Sequence, residues 1–184
     1  MRDLNRMKFH IKRKENGITG KKKKKKNYLL RFLIKITLVT GTLWAAMTFG
    51  FGIAIMHGNT MYPAVRDGDL IIFYKLDPYI IGDVVMFKIN DEIKISRIAA
   101  KENMEVDINK EEYKVDNSEP VESVFYETEP LAGSEIKYPH IVTADSFFVM
   151  DDYRTIGMDS RAFGDIDKDR LLGKAIFILR RRGM

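Results

Sequence analysis

The chain has 184 residues with a hydrophobic fraction of 45%, a formal net charge of +5 and no cysteine. This length and composition predict one modest folded domain plus an additional segment, and they exclude disorder throughout the chain. The absence of cysteine excludes a disulfide framework, a thiol nucleophile and a thiolate zinc site. The three histidines, His10, His57 and His140, lack a metal-binding spacing, so we expect neither a metal ion nor a cofactor.

The charge is divided unevenly along the chain. Residues 1–35 contain 14 Lys and Arg against two acidic residues, while the remaining residues contain 17 basic and 24 acidic ones, a net charge of −7. An acidic folded part repels phosphate groups, so we expect no nucleic-acid partner. The lysine run at residues 21–26 is interpreted as a solvated tract that also attracts anionic lipid head groups.

The first predicted element is a membrane anchor. Residues 36–56 contain no charged side chain over 21 positions, which is long enough for a helix to cross a bilayer. We predict a disordered basic tail over residues 1–28, a transmembrane anchor helix over residues 29–56 and a folded domain over residues 57–184. A buried core helix or a cleaved signal peptide would be shorter, and a signal peptide would end in small residues.

The basic residues before the anchor also predict its orientation. Positive charge is retained on the cytoplasmic side of a membrane. We therefore predict a single-pass protein of the cell membrane, with a cytoplasmic N-terminus and an extracellular C-terminal domain.

Short strands follow the anchor. Runs of β-branched and aromatic residues, or an alternation of apolar and polar ones, predict them. They cover residues 69–74, 83–88, 93–98, 105–108, 112–115, 146–150 and 174–179. The turn signal Asn90-Asp91 predicts a hairpin between the second and third. Residues 117–139 are polar and contain three prolines, which predicts a loop or small insertion in a mainly β domain.

Four motifs occur in an order and at spacings that resemble one enzyme family. They are residues 60–63 (Thr-Met-Tyr-Pro), 82–85 (Gly-Asp-Val-Val), 96–97 (Ser-Arg) and 158–164 (Met-Asp-Ser-Arg-Ala-Phe-Gly). Together with the upstream anchor they resemble signal peptidase I, peptidase family S26. The resemblance implies a mainly β fold, a signal peptidase-like domain with one N-terminal transmembrane helix.

The resemblance also implies roles for individual residues. Thr60 occupies the position of the nucleophilic serine, and Ser96 occupies the position of the lysine general base. Three positions are implied to contact the bound peptide, namely Met61, Pro63 and Ile95. Three more are implied to support the site structurally, namely Asp159, Ser160 and Arg161.

The substitutions at the two catalytic positions remove the chemistry on which the family depends. A neutral lysine must take the proton of the serine, and an alcohol at position 96 does not accept a proton at neutral pH. Thr60 retains a hydroxyl, but without a base it is a poor nucleophile. We hypothesise that the protein does not cleave peptides by the family mechanism.

Two side chains are alternatives for the missing base. Lys94 lies two residues before Ser96 on the same face of a predicted strand, so its amine is a possible substitute base. His57 precedes Thr60 by three residues, but no acidic partner for it can be identified, so it is less favoured.

An acidic segment lies near the last motif. Six aspartates occur between residues 151 and 169, and one of them, Asp151, replaces a glycine of the family's Gly-Asp-Asn-Arg run. Their spacing does not match a calcium-binding loop, so we interpret them as a solvated acidic surface.

Two functions from different classes therefore remain open. The first is a non-catalytic factor, a chaperone or assembly factor that binds an extended peptide or a secreted protein as an added strand. The resemblance implies sortase-built pili of Gram-positive bacteria as one setting and a pilin as one partner. The second is an active signal peptidase I with an altered Thr60/Lys94 dyad. A purely structural anchor protein is a third possibility, and the oligomeric state stays open.

Overall fold

The computed structural model describes residues 23–76, 78–109, 112–121, 124 and 126–180. The chain divides into two compact units, one before and one after the bond between Met47 and Thr48.

Helix α1 spans Lys23–Gly50. Its portion Tyr28–Gly50 has a mean hydropathy of 1.5 with none of the apolar window buried, so by length and composition it could cross a membrane. The helix begins inside the tail that was predicted to be disordered, and it ends at Gly50 instead of residue 56. Residues 1–22 of the predicted tail lie outside the described residues.

The predicted end of the anchor is wrong because Phe51–Ile55 form strand β1. This strand pairs antiparallel with strand β2, Leu70–Tyr74, along its full length. An uncharged apolar run suits both a membrane helix and a strand, so hydropathy alone does not locate the boundary between them. The backbone of residues 51–55 instead obtains its hydrogen bonds from the sheet.

The second unit is built from antiparallel strands. Its further strands are β3 Val84–Ile89, β4 Glu92–Lys101, β5 Glu105–Ile108, β6 Tyr113–Val115, β7 His140–Ile141, β8 Ser146–Met150, β9 Ile166–Asp167 and β10 Leu171–Leu179. A seven-stranded sheet has the order β1-β2-β10-β3-β4-β8-β9, and a three-stranded sheet has the order β6-β5-β7. A short helix α2, Ser160–Phe163, follows β8.

The mainly β fold and all seven predicted strands are confirmed, with bounds that shift by at most three residues. The predicted hairpin is also confirmed, since β3 and β4 pair from Val84↔Arg97 to Ile89↔Glu92. Asn90 and Asp91 connect them with φ values of 49° and 63°, the left-handed conformation that a tight two-residue hairpin turn requires. The described residues of segment 117–139 contain no helix or strand, as predicted for a loop.

Strand β8 is buried along its whole length. All five of its residues are buried, and the four apolar ones alternate between two core clusters. Phe147 and Val149 pack into one cluster, while Phe148 and Met150 pack into the other. Burying each such side chain contributes about 1.5–3 kcal/mol, so the position directly after β8 is firmly placed. That position is Asp151.

Candidate active-site cleft

A cleft of about 510 Å³ lies between the end of β1, the first half of β4 and the segment after β8. It brings together Thr60, Lys94, Ile95 and Ser96 from the sequence prediction, and it adds Asp151. Its remaining lining is mostly apolar and includes Ile55, Ile93, Ile156 and Met158. His57 and Glu92 also line it.

Thr60 is positioned by a tight turn after β1. The amide of Tyr62 donates to the carbonyl of Asn59 at 3.1 Å, and the amide of Tyr153 donates to the carbonyl of Thr60 at 2.8 Å. The Thr60 side chain is half-buried, and its hydroxyl makes no hydrogen bond within the described part of the chain. The hydroxyl therefore lies in the cleft without a base engaged to it.

The ring of Tyr153 connects this turn to the predicted insertion. It stacks on Tyr126 with 4.2 Å between ring centroids and an interplanar angle of 11°. Tyr126 belongs to segment 117–139, so that segment is packed against the residue whose amide holds Thr60.

Ser96 occupies the base position on β4. Its side chain is buried, with 1% exposure, and its hydroxyl donates to Asp151 Oδ1 at 2.5 Å. A hydroxyl that donates its proton to a carboxyl group is committed as a donor, so Ser96 does not act as a base toward Thr60.

Asp151 is the most perturbed group in the cleft. The pKa of its carboxyl is raised to about 7, mainly by burial and also by the nearby carboxylate of Asp159. The hydrogen bond from Ser96 and the charges of Lys94 and Arg161 act in the opposite direction and lower this pKa. The carboxyl group therefore titrates near neutral pH.

Two close contacts fix Asp151, one through its backbone and one through its side chain. The backbone amide of Asp151 donates to Asp159 Oδ2 at 2.9 Å. A Cβ atom placed on Gly157 would lie 2.7 Å from the Asp151 Cβ, closer than real side chains approach. Position 157 therefore needs a glycine for Asp151 to keep its orientation.

The interpretation of the aspartates as a solvated surface is wrong for three of them. Asp151, Asp152 and Asp159 are at most 4% exposed. Each has a buried or half-buried partner. Asp151 accepts from Ser96, Asp159 accepts from Arg161, and Asp152 accepts two hydrogen bonds from Arg97 at 2.6 and 2.8 Å. Sequence spacing does not report burial, and the correction follows from their place at the end of the buried strand β8.

The Asp-Ser-Arg motif makes internal contacts typical of structural support. Arg161 donates to both carboxylate oxygens of Asp159 at 2.9 Å and to the carbonyls of Arg154 and Glu129 at 2.7 and 3.0 Å. The hydroxyl of Ser160 accepts from the amide of Val149 at 2.9 Å. These contacts connect α2, β8 and the insertion.

The predicted peptide contacts are only partly brought together. Ile95 lines the cleft, but Met61 has 0% exposure and packs in the core beneath it. Pro63 lines a neighbouring pocket of about 610 Å³ with Arg97 and Asp152. The expected contact of Met61 with a peptide is therefore not available in this structure, because its side chain faces the core.

Lys94 shares the cleft with Thr60, but its ammonium group is placed elsewhere. Its Nζ lies 5.8 Å from the centroid of the Phe163 ring, a cation–π distance. Among the described residues it makes no hydrogen bond to Thr60. The substitute dyad would therefore require the Lys94 side chain to change its conformation.

The pairing of Ser96 with Asp151 was not predicted from the sequence. Its signal was present as two departures from one family pattern: the lysine replaced by a serine and a glycine replaced by an acid. Because Arg97 pairs with Met150 across β4 and β8, the residues next to them also face each other. The arrangement provides a hydroxyl, a carboxyl group titrating near neutral pH and no amine at the base position.

The comparisons with known proteins agree with this framework. Residues 27–180 match the family described as signal peptidase, peptidase S26. The chain is 25% identical over 154 residues to inactive signal peptidase IA of Staphylococcus aureus (strain Mu50 / ATCC 700699), covering 79% of this chain and 88% of that protein. It is 24% identical over 172 residues to signal peptidase IB of the same strain, covering 83% and 90%.

A solved structure is also similar. The crystal structure of a signal peptidase I from Enterococcus faecalis V583 gives a TM-score of 0.45 at 17% identity, covering 54% of this chain and 97% of that one. The family match covers most of the chain, and the chain therefore belongs to the signal peptidase family, peptidase S26.

Proposed function

We propose that this protein is a non-catalytic member of its family that binds an extended peptide segment of a secreted protein at the outer face of a membrane. One observation carries the proposal: the Ser96 hydroxyl donates to Asp151 at 2.5 Å, where catalysis needs a neutral amine facing the nucleophile. Similarity to a protein named inactive signal peptidase IA supports it.

The edge of the large sheet supports the binding of a peptide. Strand β1 is the end member of that sheet, and it pairs with β2 alone among the described strands. Ala54 and Ile55 of β1 line the cleft. An extended peptide can therefore add to β1 through main-chain hydrogen bonds, which do not depend on a catalytic dyad.

The location completes the proposal. The apolar helix would anchor the protein, and the basic residues before it would keep the N-terminus cytoplasmic, so that the cleft faces outward. A pilin under assembly in a Gram-positive bacterium is one candidate partner among secreted proteins.

Site-directed crosslinking tests this function. The chain lacks cysteine, so Thr60→Cys provides a single attachment point for a photoreactive probe in the cleft. Asp91→Cys is a matched control in the hairpin turn, where Asp91 lines a different pocket from the cleft. We expect secreted-protein segments to be captured from position 60 and not from position 91. Equal capture at both positions, or none at position 60, would contradict the proposal.

An active signal peptidase with a Thr60/Lys94 dyad is the second candidate. It is favoured by one observation, that Lys94 and Thr60 line the same cleft. Purified protein would be incubated with a preprotein in detergent. Cleavage that is lost in Lys94→Ala and kept in Ser96→Ala would support this candidate and overturn the non-catalytic function.

A further inference from the structure

Asp151 has acceptor capacity that the proposed function leaves unexplained. The residue is 4% exposed, and its Oδ1 accepts the hydrogen bond from Ser96. Its Oδ2 has no hydrogen bond or ion pair with any residue that the structure describes. Asp151 lines the cleft, so this oxygen is open to a donor that the chain itself does not provide.

The charges of Lys94 and Arg161 lower the pKa of Asp151, but neither residue forms a direct ion pair with it within the described part of the chain. Lys94 interacts with the Phe163 ring. Arg161 is engaged by both carboxylate oxygens of Asp159. A buried carboxylate without a dedicated cation is unfavourable, so an incoming positive charge would be stabilised there.

The walls of the cleft suit a long side chain with a charged end. Ile93, Ile95, Ile156 and Met158 give the cleft apolar walls, and Asp151 lines the same cleft. The methylene groups of a lysine pack on such surfaces while the ammonium group reaches a polar partner. Glu92 adds a second acidic group to the lining.

We propose that the cleft selects peptides that carry a lysine side chain, whose ammonium group pairs with Asp151 Oδ2. The inference rests on the proposed peptide-binding function and names the chemistry of the ligand. Lysine is favoured over arginine because Ser96 already engages Oδ1. One free oxygen can pair with a compact ammonium group but cannot receive the two-pronged contact of a guanidinium.

The proposal has a pH signature. The pKa of Asp151 is about 7 because of burial, with Asp159 raising it and Ser96, Lys94 and Arg161 lowering it. At acidic pH the carboxyl group is neutral and attracts an ammonium group weakly, so the preference for lysine increases as the pH rises. His57 and Glu92 also line the cleft, and Asp151→Asn separates their contribution.

The test measures the binding of fluorescent alanine-rich peptides to the full chain in detergent micelles. The peptides are identical except for one central residue, which is lysine, arginine, glutamine or glutamate. At about pH 8 we expect the lysine peptide to bind about tenfold more tightly than the glutamine peptide, with little difference at about pH 5.5. Asp151→Asn removes the preference, and Asp91→Asn, a matched loss of charge outside the cleft, leaves it intact.

Several results would overturn the inference. Equal affinity for the lysine and glutamine peptides, a preference that survives in Asp151→Asn, or an equal preference for arginine would each contradict it. A separate titration with N-acetyl-lysine amide, followed by carbon NMR of the Asp151 carboxyl group, distinguishes the two proposals. If no peptide binds but this probe lowers the midpoint of Asp151, the cation site stands and the peptide-binding function fails. If the probe causes no change either, both fail.

Discussion

Restoring the family's serine and lysine at positions 60 and 96 would not by itself restore a peptidase. The Ser96 hydroxyl lies 2.5 Å from Asp151 Oδ1, so the lysine introduced by Ser96→Lys would meet a carboxylate directly. An ion pair keeps a lysine protonated, and a protonated lysine cannot take a proton from the nucleophile. We therefore expect the variant Thr60→Ser with Ser96→Lys to be nearly inactive.

The size of this effect follows from the geometry. Two unit charges at about 4 Å interact by about 4 kcal/mol at an effective dielectric constant of about 20. Since about 1.4 kcal/mol corresponds to a factor of ten, the neutral fraction of the lysine falls roughly a thousandfold. Adding Asp151→Gly, which restores the residue of the family pattern, removes the partner and allows burial to lower the pKa of the lysine.

The assay is cleavage of a preprotein in detergent, expressed as kcat/KM. The kcat/KM of the triple variant with Asp151→Gly should exceed that of the double variant by about two to three orders of magnitude, because it follows the neutral fraction of the lysine. Replacing Ser96→Lys by Ser96→Met in the triple variant is the control, since methionine has similar bulk and no base. A double variant as active as the triple one would refute the reasoning, provided that thermal unfolding shows both to be folded.

Three further predictions concern stability. The folded state keeps Asp151 protonated up to a pKa of about 7 and the unfolded chain only up to 3.8. Between these values the folded state binds more protons, so stability should fall with rising pH by up to about 4 kcal/mol and level off above pH 7. Urea unfolding across this range should show the slope in the wild type, and its persistence in Asp151→Asn would contradict the assignment. Gly157→Ala forces a Cβ to within 2.7 Å of the Asp151 Cβ and should cost about 1–3 kcal/mol in thermal unfolding. The same cost in a Gly157→Ala, Asp151→Gly double variant would show that the clash is not the cause. Arg161→Met leaves the buried Asp159 carboxylate unpaired and should cost about 3–5 kcal/mol. A loss below 1 kcal/mol in denaturant unfolding would show that this pair is not a structural support.

The strands were predictable because their periods and turn residues are local properties of the sequence. Residues 105–108 and 146–150 have the bounds that the pattern indicates, and the turn at Asn90 requires a conformation that Asn adopts easily. The end of α1 was not predictable in this way. Whether residues 51–55 continue a helix or form a strand depends on β2, which lies 15 residues further along the chain.

The site was predictable in its members but not in its pairing. The family motifs located Thr60 and Ser96, and substitution chemistry indicated the loss of the base. The partner of Ser96 is 55 residues away in the sequence, and only the pairing of β4 with β8 brings Asp151 to it. Burial then raises the pKa of Asp151, an effect that no local sequence pattern records.

The stacked rings of Tyr126 and Tyr153 give the protein an intrinsic optical reporter. Two tyrosines 4.2 Å apart and nearly parallel couple electronically, and the single tryptophan, Trp44, belongs to α1. Near-ultraviolet dichroism of the tyrosine band therefore follows whether the insertion remains docked beside Thr60. A ligand that separates Tyr126 from Tyr153 would therefore change this dichroism, and no added label is needed to detect it.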